Sequence, residues 1–210
     1  QQVSGNIRAS LTDVQSTASR EPAFLEAVEA RLPAPMSSAA PEHDMNVSTP
    51  QCDPRSLLLH VCCGPCAVMP VTRLLDEGFA VTAWYMNPNI HPLSEYLRRR
   101  ETAGECAERL GIPILYDDAS WNITSWLRAV AGRDTAPQRC AYCCASRIEA
   151  AFAAARRLGF AFVSSSLLYS RYQPHEVIRQ TGERLANADG IGPDFVYRDF
   201  REDWQKGIDR

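Results

Sequence analysis

From residue 55 onward, apolar runs alternate with stretches whose apolar positions recur at helical spacing. SLLLHV (56–61) is continuously apolar, as in a strand covered on both faces. GPCAVMPVTRLLDEG (64–78) then reads as a helix, with Pro65 near its first position and Gly78 past its end. Pro70 is expected to bend or shorten it. FAVTAWYM (79–86) predicts a second strand and PLSEYLRRRETAGECAERLG (92–111) a long helix closed by Gly111. IPILYD (112–117) predicts a third strand, ITSWLRAVAG (123–132) a short helix, and CCASRIEAAFAAARRLG (143–159) an Ala-rich helix that stops at Gly159. FAFVSSSLL (160–168), PHEVIRQTGERLA (174–186) and DFVYRDF (194–200) read as strand, helix and strand. Strands separated by helices imply an α/β domain with a mainly parallel five-stranded sheet and right-handed crossovers. In such sheets ligands bind beyond the carboxyl ends of the strands.

Residues 1–52 break this pattern. LPAPMSSAAPEHDMNVSTPQ is rich in Pro, Ser and Ala without apolar period, so the segment is expected to be a loosely ordered N-terminal extension. EPAFLEAVEARL within it has the spacing of one short amphipathic helix. The chemistry-bearing domain is therefore 53–210.

Composition narrows the class. The chain has 210 residues and is 45% hydrophobic, enough for a sizeable core, but no apolar run approaches the roughly 20 residues of a membrane helix. No export signal precedes the domain, so a cytoplasmic location is expected. The chain begins with Gln1 rather than Met, as a trimmed fragment would. Eight cysteines without a signal or a small, loop-rich framework read as metal ligands or redox groups rather than disulfides. The net charge of −3 comes from the first fifty residues, where Arg8, Arg20 and Arg31 face Asp13, Glu21, Glu26, Glu29, Glu42 and Asp44. This is not a generic nucleic-acid binder, although its cations are almost all arginine, which suits phosphate.

The cysteines form two groups. Cys62, Cys63 and Cys66 follow the first strand. Cys140, Cys143 and Cys144 lie just before, and at the start of, the helix that leads into the fourth strand. In a parallel sheet both groups fall on one edge. Free N–H groups at a helix start favour thiolates. Four thiolates suit a structural zinc or an iron–sulfur cluster. Adjacent Cys62 and Cys63 share a centre only if the backbone turns, and Gly64-Pro65 supplies a turn signal. Cys140 and Cys143 have an ordinary chelating spacing. Cys106 reads as a small core residue, Cys144 as core on its Ala-rich face, and Cys52 as incidental. Cys66 is balanced between burial and metal.

Other groups converge on the same edge. NPNIHP (87–92) is a turn, or shapes a pocket through Asn87 and Asn89. Asp117 and Asp118 end the third strand as solvated or capping residues, or as a general acid or metal ligand. In LLYSRYQPHE (167–176), Tyr169, Arg171, Tyr172 and His175 suit stacking on a base and gripping phosphate. His60 reads as a satisfied core histidine. Arg98–Arg100 read as a solvated helix face, and Arg133, Arg139, Arg147, Arg156 and Arg157 as a second cationic group open to RNA.

The segments LLLHVCCGPC, YMNPNIHPLSEY, YDDASW, Arg139–Cys144 with Ser146–Glu149, SSSLLYSRYQPHEVI and FVYRDFREDWQKGI together resemble the QueH type of epoxyqueuosine reductase, over about residues 55–210. The resemblance implies a Rossmann-like (HUP-like) three-layer domain. It also implies reduction of epoxyqueuosine to queuosine at the wobble base of tRNA, the last step of queuosine biosynthesis, with an unidentified electron donor. It implies a [4Fe–4S] cluster on Cys62, Cys63, Cys140 and Cys143, and a neighbouring mononuclear iron or zinc for which Cys66 and Asp117 are candidates. The family's C-terminal C-G-C would follow WQKGIDR, which again suits a trimmed chain, and Cys144 stands where the family commonly has an aromatic residue. Two alternatives are a PP-loop-like nucleotide-binding enzyme, disfavoured because VCCGPCAV lacks a Ser/Gly-rich phosphate loop, and a zinc-stabilised RNA-binding module without catalysis.

Overall fold

The structure is a computed structural model that describes residues 53–188, 190 and 192–208. The expected N-terminal extension, its short helix and Cys52 lie outside the described residues. Five strands, β1 (Ser56–Val61), β2 (Ala80–Tyr85), β3 (Ile114–Tyr116), β4 (Phe162–Ser165) and β5 (Asp194–Phe195), form one sheet in the order β3-β2-β1-β4-β5. Every pairing is parallel. The helices are α1 (Gly64–Asp76), α2 (Leu93–Leu110), α3 (Ile123–Val130), α4 (Ala136–Leu158), α5 (His175–Ala186) and α6 (Trp204–Ile208). The chain winds outward from β1 through β2 to β3, then returns to place β4 on the other side of β1. With right-handed crossovers this puts α1 and α2, which pack together, on one face and α4 and α5, which also pack together, on the other. The winding reverses between β1 and β4, and the carboxyl ends of these two strands border the crevice in which such sheets bind ligands.

β1 is the centre of the core. Leu57, Leu58 and Leu59 are all fully buried, and each such side chain contributes about 1.5–3 kcal/mol when removed from water. His60 sits in register between Trp84 of β2 and Ser165 of β4. It is the satisfied core histidine the sequence suggests. Its Nδ1 meets Ser165 Oγ at 2.9 Å and its Nε2 the Met86 carbonyl at 3.1 Å.

Several boundaries differ from expectation. α1 continues through Pro70 to Asp76 without shortening, and Pro70 is buried in the packed face. β5 has only two residues, and β4 gives way at Ser166 to a 3₁₀ turn, Ser166–Tyr169. The correction that matters most concerns α4, which starts at Ala136, seven residues before position 143. Thr135 caps it: its hydroxyl accepts from the Gln138 N–H at 3.5 Å, and Gln138 Oε1 accepts from the Thr135 N–H at 3.3 Å, with Pro137 in the first turn. Cys140 and Cys143 therefore lie within the helix, three residues apart and on one face.

Gly64 fixes where α1 begins. A Cβ there would lie 2.2 Å from the Thr102 carbonyl oxygen of α2, and its N–H donates to Thr102 Oγ1 at 3.2 Å. Only glycine lets the first turn of α1 approach α2 this closely.

Candidate metal centre

The chain leaves β1 at Val61 and enters α1 at Gly64, so Cys62 and Cys63 span the junction and Cys66 stands in the first helical turn. The sulfurs of Cys62, Cys63 and Cys66 all lie within 4.8 Å of one another, and those of Cys62 and Cys63 are 3.9 Å apart. Cys62 is buried and the other two are half-buried. Three soft donors converging on one point have the composition of a zinc or iron–sulfur site.

The triad does not share its protons evenly. Cys62 is held well below the ordinary thiol range, first because Cys63 and Cys66 donate to it, with Ser166 adding a further bond and burial opposing. Cys63 is pushed up to about 12, chiefly by that same bond to Cys62. Cys66 is pushed up further by its bonds to both neighbours. Negative charge thus gathers on Cys62, the deepest of the three.

The loop after β4 braces this thiol. Ser166 Oγ accepts from the Cys62 N–H at 3.1 Å and lies 3.6 Å from its sulfur. The same loop reaches the second cysteine group, where the Cys144 thiol donates to Gln173 Oε1 at 3.1 Å. Cys140 is exposed, Cys143 and Cys144 are buried. The indole N–H of Trp126 in α3 points at Cys143 Sγ at 3.4 Å. The compact sulfur group holds Cys62, Cys63 and Cys66 and does not include Cys140 or Cys143; the loop after β4 touches both cysteine segments, through Ser166 and Gln173. Cys106 is buried in the core on α2, and burial pushes its thiol up. Cys144 is fully buried and pushed up for the same reason.

Beyond β2, the NPNIHP loop gathers polar atoms without good partners. Asn87 is fully buried and its Nδ2 donates to the Val61 carbonyl at 3.0 Å, but its Oδ1 has no well-formed hydrogen bond, the His60 ring offering the Asn87 side chain only a loose contact. Asn89 Oδ1 and both ring nitrogens of His91 are likewise buried and unpartnered, the Pro88 carbonyl offering the His91 ring only a loose contact. The His91 ring lies between two tryptophans, 5.4 Å from Trp121 and 5.0 Å from Trp126. Burial lowers its pKa.

The remaining candidates divide. Asp117 is half-buried at the end of β3, outside the compact thiol group; its neighbour Asp118 is the engaged carboxylate, accepting from Tyr96 at 2.7 Å and Arg100 at 2.9 Å. Tyr169 is buried, stacked on Trp204 at 5.4 Å, with its hydroxyl on the Trp204 carbonyl. Arg171 and Tyr172 are exposed, Tyr172 at 87%. His175 is half-buried, with Nε2 on the Ser170 carbonyl and Nδ1 unpartnered. Arg147, counted in sequence with a cationic surface, is only 5% exposed and faces the cysteines instead. Ser166, Trp126, His91 and Arg147 were not singled out from sequence as parts of the site. The NPNIHP motif pointed to His91 only as part of a turn, and nothing local marks a helical arginine as buried.

Known proteins are similar to this chain over most of the described domain. A family profile described as Epoxyqueuosine reductase QueH matches residues 57–210. The chain is 36% identical over 154 residues to the epoxyqueuosine reductase QueH of Histophilus somni, covering 72% of this chain and 60% of that protein. It is 37% identical over 153 residues to that of Acinetobacter baylyi, covering 71% and 67%. For Thermotoga maritima the figures are 30% over 159 residues, 73% and 80%. The chain spans about three-fifths of the length of the Histophilus relative. The matched segment holds the thiol triad, the NPN loop, the CxxC pair and the loop after β4, and on that match the chain belongs to the epoxyqueuosine reductase QueH family.

Proposed function

We propose that this domain reduces epoxyqueuosine to queuosine in tRNA, with a [4Fe–4S] cluster held by Cys62, Cys63, Cys140 and Cys143. The observation that carries the reading is the family match over residues 57–210, with the sulfurs of Cys62 and Cys63, two of the four proposed ligands, 3.9 Å apart. Removing the epoxide oxygen as water takes two electrons and two protons and leaves the alkene. A bound cluster supplies electrons singly, so a separate reductant must deliver them.

The protein's own groups bind and orient the nucleoside and handle the protons. The unpartnered oxygens of Asn87 and Asn89 and the His91 nitrogens offer acceptors and a donor to a polar ligand, whose arrival would relieve their burial cost of about 1–3 kcal/mol each. Exposed Tyr172 suits stacking on a neighbouring base, Arg171 suits phosphate, and His175 and Tyr169 shape the same loop. Asp117 is the candidate proton donor to the leaving oxygen and, with Cys66, the candidate ligand pair for a second metal, iron or zinc. Among the described residues no helix is long and apolar enough to cross a membrane.

Metal analysis of protein prepared without oxygen tests the reading. The expected result is a brown protein with absorbance at about 400 nm, about four irons per chain and matching sulfide. A zinc site built from Cys62, Cys63 and Cys66 alone is the competing reading favoured by their mutual closeness. A colourless chain with one zinc would establish it and remove the redox assignment.

A further inference from the structure

Arg147 lies in the turn of α4 after Cys143. Its guanidinium donates to the Cys143 carbonyl at 2.7 Å and to the Cys144 sulfur at 3.6 Å. It is 5% exposed, and among the described residues it meets no carboxylate. A buried guanidinium without an anion carries a large desolvation cost, so the fold keeps such a group where an anion belongs.

The neighbouring groups narrow which anion that is. The Cys144 sulfur that the guanidinium reaches is fully buried and donates to Gln173 Oε1 at 3.1 Å. The guanidinium holds, at 2.7 Å, the carbonyl of Cys143, one of the four proposed cluster ligands. Four thiolates around an iron–sulfur core make an anion, and reduction makes it more so.

We propose that Arg147 is the fixed countercharge of that thiolate-held cluster, a positioning residue that raises its reduction potential without being a ligand; this rests on the cluster reading above. A nearby buried cation favours the more negative, reduced state. Arginine suits the task because it stays charged when buried, while its fork holds it to the Cys143 carbonyl.

The test compares wild type, Arg147→Gln and Arg147→Lys, all purified and reconstituted without oxygen. Iron and sulfide are measured, and each cluster is titrated with redox mediators and followed by electron paramagnetic resonance. The expected result is wild-type iron content with a more negative midpoint potential in Arg147→Gln and a potential close to wild type in Arg147→Lys. Loss of the cluster in the Gln variant alone also supports the charge role. An unchanged potential in Arg147→Gln overturns the proposal, as does a Lys variant that behaves like the Gln variant, since shape and not charge is then what counts. If wild-type protein takes up no cluster, the cluster reading itself falls, a result separate from any difference among the variants, and the countercharge role falls with it.

Discussion

Cys62 and Cys63 are consecutive residues, yet their sulfurs lie 3.9 Å apart. In a continuing strand neighbouring side chains point to opposite faces. Here the pleat ends at Val61. Cys63 is still extended, with φ −175° and ψ 167°, but Gly64 already starts α1, so the chain swings both thiols toward Cys66.

Replacing Cys62 or Cys143 by Ala is expected to abolish cluster assembly, because each removes a proposed ligand. Cys106→Ala, on α2 and outside the compact thiol group, should leave iron and sulfide at wild-type content. Iron and acid-labile sulfide assays on the three variants decide this. Full iron in Cys143→Ala would move the fourth ligand elsewhere.

Gly64→Ala should disturb the thiol triad through the backbone. The added methyl meets the Thr102 carbonyl carbon at 2.7 Å as well as its oxygen, so α1 must shift away from α2. A loss of about 1–3 kcal/mol is expected from denaturant unfolding, with weakened metal uptake by Cys66. Wild-type stability would show that the helices separate freely.

His60 should make the metal-free protein sensitive to mild acid. Its pKa falls from 6.5 to about 4 on folding, so the unfolded chain binds more protons between those values. Its contribution is intact above about pH 6.5 and is lost progressively as pH falls toward 4, by about 3 kcal/mol in all. His60→Gln, which keeps a hydrogen-bonding group, should flatten this part of the stability profile. Parallel urea midpoints for both proteins from pH 7 to pH 4.5 would contradict it.

Thr135→Ala removes the cap of α4 and should cost about 1 kcal/mol. Because Cys140 lies in the second turn, fraying should also slow metal uptake, while Thr135→Asp restores both. Thermal unfolding and reconstitution rates report the two effects.

Much of the fold was legible because it rests on periodicity. The apolar run at 56–61 and the glycine stops at Gly111 and Gly159 correspond to β1 and to helix ends in left-handed conformation. The start of α4 was readable in principle, since TAPQ is a capping box with proline beside it, but the polar residues after it conceal the amphipathic face that would extend the helix. The cysteines themselves stood out by spacing. Arg147, Trp126 and Ser166 did not, because their roles arise from contacts across 3 to 104 positions of sequence that no local pattern records. Tyr169 shows the converse: an aromatic residue in a polar loop looked available for stacking on a base and is instead enclosed by Trp204 and Gly207.

Of the four proposed ligands, Cys140 alone stands in the open, while Cys62 and Cys143 are enclosed and Cys63 is half covered. Peroxide or molecular oxygen arriving from bulk water meets that corner before any other. Oxidation by peroxide should therefore begin as sulfenic acid at position 140, leaving the deeper sulfurs chemically intact for repair.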